Sequence, residues 1–215
     1  MSFGPFVFNT SIVPPSSAPT SYADILAPEW KDKLVLTYPN DDDAVLFLFT
    51  RIVTEHGWEW LEALEKQNVQ WVRGTATPVE ILAGYGGPTN RTLSFTTFAL
   101  GPDFAYIEPT TDHYMSWTQT SAIFKNTQMP ETAKLLQSFL VSNAWQDQYL
   151  KQGSPSVRKD LGNGNATIWG VENTDFVSFH RFMEKRDVVE AWRFAIEDVI
   201  GTAQGLSPLI DNIGQ

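Results

Sequence analysis

Residues 33–56 read KLVLTYPNDDDAVLFLFTRIVTEH. The opening KLVLTY is almost continuously apolar, the pattern of a strand buried on both faces of a sheet. Pro39 and Asn40 end it, because proline cannot donate to the ladder. From Asp41 onward Ala44, Val45, Leu46, Phe47, Leu48, Phe49, Ile52 and Val53 make a helix that is apolar nearly all round. Such a helix has to be buried. A buried strand feeding a buried helix is the repeating unit of α/β proteins.

Downstream, Gly57 stops the helix, residues 58–67 form a second one, and residues 70–73 a short strand. Gly74, Thr75 and Ala76 turn that strand into a helix with Pro78 at its start, and Thr77 and Glu80 have capping-box spacing. Residues 92–98 read as a strand, 101–115 as loop around Pro102 and Pro109, and 121–125 as a strand end. A helix opens at Met129-Pro130-Glu131, with Leu135, Leu136, Phe139 and Leu140 in its stripe. Residues 153–165 and 201–215 read as irregular. Between 165 and 201, Asn173-Thr174-Asp175 caps a long helix to Ile200. Its stripe is Phe176, Phe179, Met183, Trp192, Ile196 and Val199. Upstream, residues 3–8 are extended and 11–20 form a Pro/Ser-rich connector in which no helix is expected. The alternation predicts a mostly parallel central sheet, and no internal repeat shows.

Composition narrows the partners. The 215 residues carry a net charge of −10, with no basic run. Nucleic acid and anionic membrane surfaces both need clustered Lys and Arg, so neither fits. With no cysteine, disulfides, thiolate metal sites and thiol nucleophiles are excluded. No apolar run reaches transmembrane length, so no membrane insertion is expected. The start lacks the basic and apolar regions of a signal peptide, so either the chain is cytosolic or the native start lies upstream of Met1. Sequons at Asn9, Asn90 and Asn165 lean toward secretion. No metalloprotease, nucleophile-elbow or phosphate-loop motif occurs, so the chain reads as no enzyme. A hydrolase working through Asp41–Asp43 is the remaining catalytic reading.

The stretch PTSYADILAPEWKDK at 19–33 resembles a signature of extracellular solute-binding proteins of ABC importers, in the branch described around ferric iron. Ser121-Ala122-Ile123-Phe124-Lys125 and Pro130-Glu131-Thr132-Ala133-Lys134 are similar to later segments of that family. So are residues 142–146 and 156–160. The resemblance covers roughly residues 5–165, and the remainder looks like a eukaryotic, fungal-type extension. It implies a type II periplasmic-binding-protein-like α/β lobe with a helical C-terminal extension. Residues 1–20 would be hinge or crossover, 21–125 the ligand-binding lobe, and 126–215 a helical region returning to the other lobe. The family's first lobe of about a hundred residues has no counterpart in the sequence, as if it were truncated. Ferric members carry paired tyrosines where this chain has TLSFTTF at 92–98, so the resemblance does not extend to that site; no cofactor and no metal are expected. A secreted or extracellular location follows from the family, with the cytoplasm left open.

Ligands of open α/β sheets bind beyond the carboxyl ends of the strands. That rule selects Asn40, Asp41 and Asp42 at the first strand–helix junction, and Arg73, Gly74 and Thr75 at the second. It also selects Thr96 and Thr97 at the third. Trp117, near the return hinge, is either a stacking surface or core. Each residue has a structural alternative. The aspartates cap a helix, Arg73 makes an ion pair, and the threonines favour strands. Three carboxylates together favour a small-molecule ligand that is cationic or polyhydroxylated. The rival reading is an interaction module that has lost solute binding, a homodimer covering its exposed apolar surface.

Overall fold

The computed structural model describes residues 1–151, 155–161, 167–169 and 171–206. Much of the expected irregular sequence at 153–165 and 201–215, and the Asn165 sequon, lies outside the described residues. The strands are β1 (Ser2–Phe3), β2 (Phe6–Asn9), β3 (Val35–Thr37), β4 (Gln70–Val72), β5 (Leu93–Ser94), β6 (Phe104–Ile107) and β7 (Met115–Ser116). The helices are α1 (Asp43–His56), α2 (Trp58–Glu65), α3 (Thr77–Leu82), α4 (Pro130–Leu140), α5 (Asn143–Lys151), α6 (Ser178–Met183) and α7 (Arg186–Ile200).

β3 and β4 are parallel, with Val35 opposite Gln70 and Thr37 opposite Val72. A parallel bridge from Leu34 to Leu93 sets β3 beside β5. β2 lies between β5 and β6 and runs against both, Val7 facing Ser94 on one side and Tyr106 on the other. The order is therefore β4, β3, β5, β2, β6. The expectation of a mostly parallel sheet is corrected, because the first long strand of the chain enters the middle in the opposite sense. The loop expected at 101–115 contains β6: Pro102 and Pro109 flank it closely, yet all four of its residues pair with β2. Residues 121–125, read as a strand end, form no strand; Phe124 there is 87% exposed. The connector at 11–20 contains one 3-10 turn at Pro15–Ser17.

Asp42 caps α1, its Oδ1 accepting from the N–H groups of Ala44 and Val45 at 2.9 and 3.0 Å. Nine α1 residues, Ala44 to Thr50 with Ile52 and Val53, are buried. Phe49 stacks on Phe95 at 5.8 Å and meets Trp60 and Trp71 at 6.0 and 5.9 Å. Each such side chain fully buried is worth about 1.5–3 kcal/mol. The long helix expected to reach Ile200 is broken at Glu184 and Lys185, the latter lying outside helical geometry at φ −109°, ψ 74°. The break lets α6 lay Phe179 and Phe182 on Phe47 while α7 stacks Trp192 on Trp58. α6 and α7 are thus built into the same core as α1 and α2. α4 is different: Leu135, Leu136 and Phe139, its apolar stripe, face solvent. None of the described helices is long and apolar enough to cross a membrane.

Candidate functional site

β3, β4 and β5 are parallel, so their carboxyl ends share one edge, and hydrogen bonds tie the junctions there together. Arg73 donates to Asp41 through Nε and Nη2, both at 2.9 Å, a bidentate pair joining the first junction to the second. The Thr37 hydroxyl donates to the Gly74 carbonyl at 3.0 Å. The Thr97 hydroxyl donates to the Thr75 carbonyl at 2.6 Å. Thr96 Oγ1 accepts the backbone N–H of Thr37 at 2.8 Å. Gly74 sits at φ +79°, where a residue without Cβ is at ease. Among the described residues the N–H groups of Gly74 and Thr75 have no hydrogen-bond acceptor.

Asp41, Arg73, Gly74, Thr75, Thr96 and Thr97 are thereby brought together. Thr96 and Thr97 are buried, and their hydroxyls act inside the fold. Asn40 is held from the other side: its Nδ2 donates to Glu197 Oε2 and to the Gly201 carbonyl, and its own carbonyl accepts from Arg193. Its Oδ1 is buried, with no partner among the described residues. Asp42 is occupied as the cap of α1, and Asp43 pairs with Arg186 and Arg193. The three carboxylates would draw a cation only if they were free. All three have partners, so the edge is far less negative than the sequence suggests. Trp117 is not part of this group; it packs on Phe3 at 5.4 Å and Phe179 at 5.9 Å. Thr77 is not a cap either: Ala76 holds that position, and the Thr77 hydroxyl donates to the Arg73 carbonyl.

A second polar group, which no motif announces, surrounds Gly4. The Gly4 N–H donates to the Phe95 carbonyl at 2.7 Å. The Tyr106 hydroxyl meets Ser2 Oγ at 2.6 Å. The Tyr22 hydroxyl is buried without a partner among the described residues. Burial raises Tyr22 well above the usual phenol range, and the charges of Asp112 and Glu55 add to it. Tyr114 is raised by burial first and then by Glu108. The hydrogen-bonded partners lie far apart in sequence, Gly4 and Phe95 by 91 positions and Ser2 and Tyr106 by 104, so only the fold assembles them. Two hollows lie away from the carboxyl edge. One of about 180 Å³ is lined by Phe124, Leu136 and Leu140, and one of about 460 Å³ by Asn9, Leu82 and Arg91.

The lock between junctions carries a stability prediction. Thr96→Val keeps the side-chain volume but leaves the buried Thr37 N–H without an acceptor, at a cost of about 1–3 kcal/mol. The check is urea unfolding, with a lower midpoint at unchanged slope. A loss below about 0.5 kcal/mol, the range of ordinary surface changes, would show that this bond does not hold the edge.

This is the fold of a periplasmic binding protein, present in part. A family model described as bacterial extracellular solute-binding protein matches residues 3–93. The chain is similar in structure to the substrate-binding protein of an ABC transporter from Agrobacterium tumefaciens, with TM-score 0.65 and 16% identity. That match covers 91% of this chain and 64% of the other, so this chain spans less than two thirds of that protein. It is also similar to iron-bound HitA from Pseudomonas aeruginosa, with TM-score 0.56, 13% identity, and 91% and 67% of the two chains covered. A third is the spermidine/putrescine substrate-binding protein PotD from Streptococcus pneumoniae, with TM-score 0.51, 11% identity and coverages of 89% and 67%. A comparison by sequence with curated proteins finds no match.

Proposed function

We propose that this chain binds a small solute at the carboxyl edge of its sheet, as the substrate-binding component of an ABC-type importer, outside the cell and without catalysis. The observation that carries the reading is the locked convergence of three strand ends around Arg73, Gly74 and Thr75, with two backbone N–H groups left to a ligand. Preformed donors on rigid strand ends lose little entropy on binding. Closure of a second lobe over the edge would complete the cleft by hinge motion. The family model and the fold neighbours support this reading over an enzyme.

The test is calorimetry with ferric citrate, spermidine and putrescine, beside native mass spectrometry for a ligand carried through purification. The expected result is one saturable small-molecule adduct, lost on denaturation. Arg73→Ala, which frees Asp41 and loosens the second junction, should weaken it at least tenfold, about 1.4 kcal/mol. A clean, adduct-free dimer would instead favour the interaction module, for which the exposed Leu135, Leu136 and Phe139 speak.

A further inference from the structure

We propose that Glu55, His56 and Asp112 bind one divalent transition-metal ion of the zinc type, at a site separate from the solute edge. Glu55 and His56 are the last two residues of α1, and Asp112 comes from the loop between β6 and β7. One ligand atom from each lies within 4.8 Å of the others. His56 Nε2 and Asp112 Oδ1 are 3.2 Å apart. A tetrahedral ion with bonds of about 2.0–2.2 Å needs neighbouring donors about 3.3 Å apart. Two of the three donors are already at that spacing, and a rotation of the Glu55 carboxylate supplies the third.

The donors are also held from behind, as metal ligands need to be. Asp112 is buried, and its Oδ2 accepts the Tyr22 N–H, which leaves Oδ1 turned to His56. His113 reaches both Glu55 oxygens, with Nδ1 at 2.7 Å from Oε1 and its backbone N–H at 3.4 Å from Oε2. The His56 ring lies 6.5 Å from those of Tyr22 and Trp60. Two carboxylates match a double positive charge, and one imidazole selects zinc, cobalt or nickel over calcium, which needs six or more oxygens. His56 is part-buried and Glu55 exposed, so an ion can enter and keep water as its fourth ligand. The site stands at the carboxyl end of α1 and the solute edge at its amino end, about 20 Å apart along the helix.

The experiment uses the full chain without a histidine tag, stripped with EDTA. Zn2+ is titrated by calorimetry, and Co2+ by its visible absorption, which is intense only in tetrahedral sites. One equivalent is expected to bind each protein. His56→Gln and Glu55→Gln should abolish the Co2+ spectrum while thermal unfolding shows both variants folded. His113→Ala, which only steadies Glu55, should weaken Zn2+ about tenfold. Absence of saturable binding, or binding that survives His56→Gln and Glu55→Gln, would overturn the proposal and leave the cluster as two ion pairs, His56 with Asp112 and His113 with Glu55.

Discussion

Gly4→Ala is expected to remove about 4 kcal/mol of stability, a large part of the 5–15 kcal/mol that holds an ordinary domain together. Gly4 has φ +117°, a conformation that residues with a Cβ adopt only under strain of about 1–3 kcal/mol. Its surroundings add to this. A methyl group there would stand 2.4 Å from the Tyr22 hydroxyl, 2.5 Å from Tyr114 Cβ and 3.1 Å from Leu48 Cδ1. Overpacking of a filled core costs a further 1–3 kcal/mol or so. The backbone cannot retreat, since the Gly4 N–H is bonded to the carbonyl of Phe95, the residue after β5. Gly84→Ala is the control. It has φ +85° with nothing within 4 Å, so it carries the strain without the clash. In urea unfolding Gly4→Ala should lose at least twice as much as Gly84→Ala. Tyr22→Phe in the Gly4→Ala chain should recover part of the loss, because the hydroxyl is the nearest obstacle. Equal losses at both glycines would show that the packing around Gly4 gives way freely.

That glycine shows what a sequence hides. Residues 33–56 were readable because their signal is local: the apolar run of β3 and the all-round apolar surface of α1 leave one arrangement that buries both. The Asp42 cap was readable for the same reason, three residues of chemistry at a helix start. β6 was not. Two prolines and a glycine around four residues spell loop, and only its pairing with β2, almost a hundred positions away, makes it a strand. The capping box at Thr77 failed on a shift of one residue. Ala76 took the cap, and the hydroxyl went to the Arg73 carbonyl of the preceding turn.

The candidate site divides the same way. Strand ends could be ordered along the chain, and topology then puts Asp41, Arg73, Gly74, Thr75, Thr96 and Thr97 on one edge. What each group does there depends on partners far off in sequence. Arg73 could be a ligand clamp or an ion pair; in the fold it pairs with Asp41, 32 residues away. Asn40 is gripped by the end of α7, about 160 positions on, which no local pattern foretells. The later family-like segments behave better than their short length suggests. Gln146 Oε1 accepts from both the Ser156 hydroxyl and the Val157 N–H, so the resemblances at 142–146 and 156–160 are two halves of one contact.

Stability is expected to fall steeply above pH 10, through Tyr22 and Tyr114. Both are almost wholly buried. Burial is the first cause that lifts each above the usual phenol value, and carboxylates reinforce it, Asp112 and Glu55 at Tyr22 and Glu108 at Tyr114. The native state therefore keeps both protons where the unfolded chain gives them up. A raised folded value means that the contribution is fully present below the unfolded phenol value of about 10. It is lost as pH climbs from there toward the folded values. Two retained protons give a slope of about 2.7 kcal/mol per pH unit once the unfolded phenols are ionised. The measurement is the urea midpoint between pH 9 and 11.5, with phenolate absorption followed on the folded protein. The wild type should lose stability across that range while part of its phenolate absorption stays suppressed until unfolding. Tyr22→Phe combined with Tyr114→Phe should flatten the profile and take the suppressed phenols out of the spectrum, leaving a smaller rise in phenolate absorption at unfolding. Tyr22→Phe alone should not destabilise at neutral pH, because the hydroxyl it removes is buried with no partner among the described residues. A wild-type profile as flat as the double variant's would mean that water reaches both hydroxyls, and that the inner wall around Gly4 is looser than its contacts require.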